Sequence, residues 1–346
     1  MRTIAWILAA ILVAGVAAGA GLWAWLDARA RTPYRGYAPD ARFVTVEPGS
    51  GVVAIGRRLV DAGVVEHLNV FRWAVWRRDA ARRLQAGEYQ FTRPMSPLDV
   101  VEVLVRGAVY LRPVTFPEGL TIPAMADLFE GSGFGDAGSF REAAREVGLV
   151  ADLDSEATDL EGYLFPDTYA LPRSATAAQV VRLMVSRFRD ATGPGYPTAA
   201  VAAGLTVRQA VTLASLVEKE TARAEERATV AAVYHNRLRR GMLLQCDPTV
   251  IYALEQLGRY DGNIRRADLS VDSPYNTYRY AGLPPGPIAA PGRAALEAAV
   301  TPADVEYLYF VSRNDGSHVF ASTLREHNAN VREFQIRFFR ERRGRD

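Results

Sequence analysis

The chain has 346 residues, of which 49% are hydrophobic, and its 41 basic residues nearly balance 39 acidic ones. This length predicts two domains rather than one hydrophobic core, and the hydrophobic content argues against a disordered chain. A net charge of +2 supplies no long-range field for nucleic acid, so we expect no nucleic-acid partner.

The sequence offers few groups that bind metals or form disulfides. Cys246 is the only cysteine, which excludes an intramolecular disulfide, and there is no CxxC or HExxH spacing. The four histidines are scattered along the chain. We therefore expect neither a metal site nor a cofactor.

Residues 4–26 form an apolar run without a charged side chain. A helix of roughly 20 such residues spans a bilayer, so the run predicts a transmembrane anchor. A cleaved signal peptide is the alternative, because residues 18–20 read Ala-Gly-Ala. The run is longer than the roughly 7–15 residues of a signal h-region, which favours the anchor. The flanking charges do not decide its orientation.

Residues 27–41, which contain proline and glycine, are predicted to be a juxtamembrane linker.

Residues 42–112 predict a small α+β subdomain. Alternating side chains predict strands at 43–47 and 84–91, and two amphipathic stretches between them predict helices. Ser96 is placed to cap a further helix. The strand, helix, helix, strand order resembles the LysM-like subdomain of certain cell-wall enzymes.

Residues 113–342 predict a larger, mixed α+β domain, so the fold class of the whole chain is α+β. This domain is organised around a predicted helix at 205–223, which Thr206 and Gln209 begin as a capping box. Glu218 falls on the apolar stripe of this helix, where burial is expected to raise its pKa and make it a proton donor. An ordinary surface glutamate is the alternative, and the helix alone leaves the two equally open.

Seven short motifs follow one another through this domain. They are EGYLFPDTY at 161–169, LVEKET at 216–221, HNRL at 235–238, DPT at 247–249, YNTY at 275–278, GLPPGPI at 282–288 and NDGSH at 314–318. Together they resemble the YceG-like (MltG) family of endolytic murein transglycosylases. The resemblance extends over nearly the whole chain, including the apolar run and the LysM-like segment.

This resemblance implies a single-pass protein of the inner membrane whose catalytic domain is periplasmic. It implies cleavage of the MurNAc-GlcNAc bond within nascent peptidoglycan strands, which leaves 1,6-anhydro-MurNAc ends and terminates glycan elongation. Peptidoglycan synthases are the expected protein partners. The catalytic glutamate of the family corresponds to Glu218. Cys246 departs from the family pattern, because a serine is expected before the DPT motif.

The same motifs supply the candidate substrate-binding residues. Two aromatic side chains, Tyr163 and Phe165, are predicted to stack on sugar faces. The remaining candidates carry side chains that can hydrogen-bond the acetamido and hydroxyl groups of the glycan: Gln245, Asp247, Thr249, Asn276, Thr277 and Tyr278.

The spacing of the acidic residues constrains the chemistry. Glu218 and Glu220 are two residues apart on a helix and therefore point about 200° apart, so they cannot both face one sugar. A single acid favours attack by the MurNAc 6-hydroxyl on C1 of the same sugar. Two alternatives stay open. One is a non-catalytic, membrane-anchored peptidoglycan-binding scaffold, and the other is a glycoside hydrolase with Asp247 or Glu161 as second carboxylate.

Overall fold

The computed structural model describes residues 2–38, 40–338 and 340. The chain divides into two compact units. The first comprises Met1–Pro113 and Ala170–Ser174, and the second comprises Val114–Tyr169 and Ala175–Asp346. Both contain helices and strands, as the α+β prediction requires. The predicted end of the catalytic domain at residue 342 lies outside the described residues.

The first unit begins with a single long helix, α1 (Arg2–Arg31). Its Trp6–Arg31 segment is long and apolar enough to cross a membrane, with a mean hydropathy of 2.2. The helix continues to Arg31, so the first five residues of the predicted 27–41 linker are helical instead.

The rest of the first unit is a small subdomain with the predicted strand, helix, helix, strand order. Strand β1 pairs antiparallel with β2, and Val44 lies opposite Tyr89. Ser96 caps the helix after β2 through a capping box with Asp99. The likeness of this subdomain to LysM modules stays a prediction. Its elements are β1 (Arg42–Val46), α2 (Val52–Asp61), α3 (Leu68–Arg77), β2 (Gly87–Phe91) and α4 (Pro97–Arg106).

The second unit is mainly helical. Strands β3 (Leu111–Thr115) and β4 (Thr168–Pro172) form a two-stranded sheet. The NDGSH motif lies at the turn of an antiparallel hairpin, whose strands are β5 (Tyr309–Ser312) and β6 (His318–Ala321). The helices are α5 (Ile122–Gly131), α6 (Ala137–Ala143), α7 (Ala177–Thr192), α8 (Tyr196–Ala202), α9 (Val207–Glu220), α10 (Arg227–Arg239), α11 (Asp247–Gln256), α12 (Arg293–Val300) and α13 (Leu324–Val331).

Helix α9 is the central element of the second unit. The predicted capping box is confirmed, because Thr206 Oγ1 accepts from the Gln209 N–H at 3.1 Å and Gln209 Oε1 accepts from the Thr206 N–H at 2.9 Å. The helix packs against α8, α10, α11 and α12. Residues 210–217 are all buried, so the helix has core contacts on every side along this stretch.

The end of α9 places two glutamates in its last turn. The helix stops at Glu220 rather than at the predicted residue 223, because Thr221 is extended with φ −139° and ψ 130°. The Thr221 hydroxyl accepts from the Arg223 N–H at 3.1 Å, which fixes the turn away from the helix axis. Glu218 and Glu220 therefore lie at the edge of the core, where their side chains can meet other elements.

Helix α11 begins at Asp247, the first residue of the DPT motif. Cys246 occupies the N-cap, and no side chain caps the helix. The Asp247 carboxylate is therefore available for a contact outside the helix.

Candidate active site

Glu218 pairs with a buried arginine. Its carboxyl oxygens accept hydrogen bonds from Arg227 Nη2 at 3.0 Å and from the backbone N–H of Gly292 at 2.9 Å. The Glu218 side chain is 6% exposed and the Arg227 side chain 11%. Both oxygens of Glu218 thus already have hydrogen-bond donors. These contacts are typical of a carboxylate that neutralises a buried cation, here Arg227.

A second carboxyl group shares the same arginine. Glu118 Oε2 lies 3.4 Å from Arg227 Nη2. Burial raises the pKa of Glu118, and the charge of Glu218 raises it further, while the charge of Arg227 opposes both. Gly292 lies directly against the Glu118 carboxyl, so a Cβ at this position would overlap it. The cluster of Glu118, Glu218, Arg227 and Gly292 is closely packed, and a larger side chain at Gly292 would require the Glu118 carboxyl to move.

Glu220 has a separate set of partners. Its Oε1 accepts a hydrogen bond from the Tyr234 hydroxyl at 2.9 Å. Burial raises the pKa of Glu220; hydrogen bonds from Cys246 and Tyr234 reduce the shift, and the charge of Asp247 adds to it. Glu220 therefore keeps its proton to a higher pH than an ordinary glutamate, which is the property that a general acid requires.

Glu220 opens onto a cavity of about 350 Å³ with a mostly polar lining. This volume is in the range of small-ligand sites. Three of the predicted substrate-binding residues, Gln245, Asp247 and Tyr278, line it together with Glu220. The other lining residues are Arg237, Leu244, Phe310, Val311, Ser312, His318 and His327.

Asp247 and Tyr278 form one wall of this cavity. The Tyr278 hydroxyl donates to Asp247 Oδ1 at 2.5 Å. Burial and this hydrogen bond raise the pKa of Tyr278, so its hydroxyl keeps its proton. The pair presents a carboxylate oxygen and a phenol oxygen to the space beside Glu220.

His318, on β6, also lines this cavity. Its Nδ1 lies 2.7 Å from Glu226 Oε2, and its backbone N–H donates to Glu226 Oε1 at 2.9 Å. Burial alone would raise the pKa of Glu226. The hydrogen bonds from the His318 ring and backbone N–H have a larger opposite effect, so the pKa of Glu226 is lowered. The Glu226 carboxylate thus contacts both the imidazole ring and the backbone of His318.

Arg237 holds the loop that carries Gln245. Its guanidinium donates to the carbonyl oxygens of Leu308 at 2.6 Å and Leu244 at 2.8 Å. Gln245 itself has a φ of 51°, in the left-handed region that non-glycine residues seldom adopt. Arg237 therefore holds this loop next to Gln245, the residue whose backbone conformation is unfavourable.

Three predicted substrate-binding residues are buried and support the loops instead. Thr249 and Asn276 are 0% exposed, and Thr277 is 1% exposed. The hydroxyls of Thr249 and Thr277 lie 2.9 Å apart, and Asn276 Nδ2 donates to the carbonyls of Leu269 and Val271. These contacts correct the prediction that the three side chains bind substrate, because their polar groups already have partners within the protein.

The two predicted stacking residues also lie in the core. Tyr163 is 0% exposed and donates its hydroxyl to Asp154 at 2.8 Å, and Phe165 is 6% exposed. Neither ring offers a free face, so the prediction that they stack on sugars is corrected. The EGYLFPDTY motif is a core segment.

Glu161 does not line the cavity that contains Glu220. It lines another cavity, of about 480 Å³, with Asp159 and Glu255. Its Oε2 accepts from the Ile122 N–H at 3.0 Å, and burial raises its pKa to about 8. The alternative in which Glu161 acts as second carboxylate loses its geometric basis.

Sequence reasoning missed Tyr234, Glu226 and the pairing of Glu218 with Arg227. Tyr234 directly precedes the HNRL motif and lies 14 residues from Glu220, so no local pattern joins the two. Within residues 2–38, 40–338 and 340 there is no group of three or more His, Cys, Asp or Glu side chains placed to hold a metal ion.

Comparison with known proteins identifies the family to which this fold and cavity belong. Residues 44–333 match the YceG-like family, and the chain belongs to it. Two relatives are named endolytic murein transglycosylase. The one from Streptococcus pneumoniae serotype 2 (strain D39) is 32% identical over 86% of this chain. The matched region covers only 59% of the length of that relative. The one from Bacillus subtilis (strain 168) is 31% identical over 82% of each chain.

The fold has a counterpart of known structure in the same family. The crystal structure of a yceG-like protein from Listeria monocytogenes superimposes with a TM-score of 0.57 at 30% sequence identity. The match covers 84% of this chain and 99% of the Listeria chain.

Proposed function

We propose that this protein is a lytic transglycosylase that cleaves peptidoglycan glycan strands internally, with Glu220 as its acid. The names of the two relatives support the reaction. The observation that carries the choice of residue is the raised pKa of Glu220 at a polar cavity shared with Gln245, Asp247 and Tyr278.

Glu218, the glutamate that the sequence motif favoured, has weaker support as the acid. A proton donor needs a protonated oxygen directed at the glycosidic oxygen of the substrate. Both glutamates accept hydrogen bonds inside the protein, Glu218 from Arg227 and Gly292 and Glu220 from Tyr234 and Cys246. They differ in that Glu218 is paired with a cation, Arg227, at 3.0 Å. The contacts of Glu218 favour a structural role at the base of α10.

The proposed reaction needs one carboxyl group and no water. Glu220 donates its proton to the oxygen that leaves C1 of the MurNAc residue, and the C1–O bond breaks. The 6-hydroxyl oxygen of the same sugar then bonds to C1, and its proton passes to the Glu220 carboxylate. This restores the acid and yields a 1,6-anhydro end. An intramolecular hydroxyl competes with water because its effective concentration is high.

The other cavity groups are assigned to binding. Gln245, Asp247, Tyr278 and His318 present amide, carboxylate, phenol and imidazole groups around Glu220. Such groups suit the acetamido and hydroxyl groups of an amino sugar, which both donate and accept hydrogen bonds. Tyr234 acts on the reaction through Glu220, because its hydroxyl orients the carboxyl.

A glycoside hydrolase is the second candidate, and one observation favours it. Asp247 lines the same cavity as Glu220, so a second carboxylate is present beside the acid. In that mechanism Asp247 would act as base or nucleophile, and the product would be a reducing end. The third candidate, a scaffold that binds peptidoglycan without cleaving it, would yield no product.

The end group of the product separates the three candidates. Purified full-length protein in detergent is incubated with uncrosslinked glycan strands, and the fragments are analysed by mass spectrometry. We expect internal fragments with anhydro-MurNAc ends. Each is lighter than the corresponding hydrolysis product by the mass of one water, 18 Da. Reducing ends would establish the hydrolase, and intact strands the scaffold.

The position in the cell is part of the proposal. We assign α1 as a single-pass anchor in the inner membrane, with the second unit in the periplasm, where nascent glycan is found. Cleavage there would terminate glycan elongation and bring the enzyme close to peptidoglycan synthases. Protease treatment of spheroplasts tests the orientation, since a periplasmic second unit is digested and a cytoplasmic one is protected.

A further inference from the structure

The tryptophans of this protein are concentrated in one region. All five lie between residues 6 and 76 of the 346-residue chain. Two of them, on α1 and α3, meet edge to face, with the ring centroids of Trp23 and Trp73 6.0 Å apart. Trp76 extends the group, since its ring lies 4.9 Å from that of Trp73 and it is 67% exposed. Trp25 lies near this group on α1, against His67.

The subdomain is fixed to the end of α1 and does not hang from a flexible tether. Asp27 pairs with Arg77 of α3 at 3.3 Å and with Arg31 of its own helix at 2.9 Å. Arg29 pairs with Glu66 at 3.3 Å, just before α3. Ala30 is fully buried within the subdomain core. The orientation of α3 relative to α1 is therefore set by several contacts.

These contacts place the α3 tryptophans at a defined depth. The uncharged run of α1 ends at Leu26, and a bilayer core takes roughly 20 residues of helix, so Trp23 lies near the boundary of the hydrocarbon. Trp73 contacts Trp23 and lies at the same level. Tryptophan is enriched at this boundary, because its ring is largely apolar and its N–H is polar.

The charge of the same segment suits a lipid surface. Residues 72–83 contain five arginines and a single acid, Asp79. Arg72, Arg78, Arg82 and Arg83 are all exposed. Arginine next to an aromatic belt favours anionic phospholipid headgroups, whose surface potential attracts basic segments. The apolar rings and the basic side chains thus point to one kind of partner.

We propose that α3 and the turn after it, residues 68–83, form a membrane-docking surface in which Trp76 enters the interface of a bilayer containing anionic phospholipid. The subdomain then lies against the bilayer instead of projecting from it. The proposal rests on α1 spanning the membrane and is independent of any catalytic activity.

The test uses the full chain in nanodiscs made with anionic phosphatidylglycerol. A variant that keeps Trp76 alone, with phenylalanine at the other four tryptophans, is exposed to lipids brominated near the headgroup or deep in the chains. We expect Trp76 fluorescence to be quenched more by the shallow bromines than by the deep ones, and little by aqueous iodide. Quenching by iodide and not by either lipid would overturn the proposal.

Two matched variants make the outcome specific. The first keeps only Trp23, which reports whether α1 is inserted; an unquenched Trp23 would remove the basis of the proposal. The second lacks all native tryptophans and carries Phe43→Trp on β1, where the native ring is 44% exposed. Equal lipid quenching at residues 43 and 76 would refute a surface specific to α3. Nanodiscs made of phosphatidylcholine alone should give weaker quenching of Trp76. Unchanged quenching would refute the proposal that anionic phospholipid favours docking.

Discussion

Two substitutions, Glu220→Gln and Glu218→Gln, test which glutamate of α9 is catalytic and which is structural. Glutamine is nearly isosteric with glutamate in both positions, but it cannot donate an acidic proton. Glu220→Gln should remove an acid that also serves as base. Each such role contributes about 10²–10⁴-fold to a rate. We therefore expect kcat for release of anhydro-ended fragments to fall by at least about 10²-fold, with glycan binding and thermal stability nearly unchanged.

Glu218→Gln should have the reverse profile. It leaves the 11% exposed guanidinium of Arg227 without its nearer carboxylate. Removing one partner of a buried ion pair costs about 3–5 kcal/mol. Glu118 lies 3.4 Å from the same nitrogen and compensates in part, so we expect the lower end, about 3 kcal/mol. For a unit of this size that is a fall in melting temperature of about 6–12 °C.

The assay is fragment release at a temperature where both variants are folded, with melting curves recorded alongside. Release of anhydro fragments by Glu220→Gln at the wild-type rate would refute the assignment of Glu220 as the acid. A Glu218→Gln variant that is fully folded but inactive would also refute it and would return the acid to Glu218.

Three further predictions follow from the charges and burial described above. Asp247→Asn removes a negative charge that helps to raise the pKa of Glu220, so the alkaline limb of the kcat/KM profile should move to lower pH. Cys246 is 0% exposed and burial raises the pKa of its thiol, so maleimide should label it only after denaturation, as read by mass spectrometry. Glu161 has its pKa raised from 4.5 to about 8 by burial, so the folded state binds the extra proton and loses stability as pH rises between those values. Glu161→Gln should flatten that part of a plot of melting temperature against pH, and an unchanged slope would contradict the assignment.

Local signals predicted where α9 starts but not what its two glutamates do. The capping box of Thr206 and Gln209 is a contact between residues three apart, so the sequence contains all of it. The apolar-stripe argument for Glu218 assumed a helix with one buried face. Residues 210–217 are buried on all sides, so the stripe does not distinguish the faces of this helix.

The choice between the glutamates depends on partners far away in the sequence. Glu218 meets Gly292, 74 residues on, and Glu220 meets Tyr234, 14 residues on. The binding residues show the same limit. The DPT and YNTY motifs each contribute one side chain to the cavity that Glu220 lines, and loop packing decides which side chain that is. Thr249 and Asn276 turn inward, whereas Asp247 and Tyr278 line the cavity.

Two helix ends meet at the cavity with opposite polarity. Glu220 is the last residue of α9, at the end where the aligned peptide dipoles leave partial negative charge. Asp247 is the first residue of α11, at the end that carries partial positive charge. The backbone therefore sets up an electric field across the cavity that does not depend on any titrating side chain. The negative pole beside Glu220 disfavours loss of its proton and favours positive charge that develops on a nearby sugar ring. The direction of this field is thus fixed by how the two helices are packed.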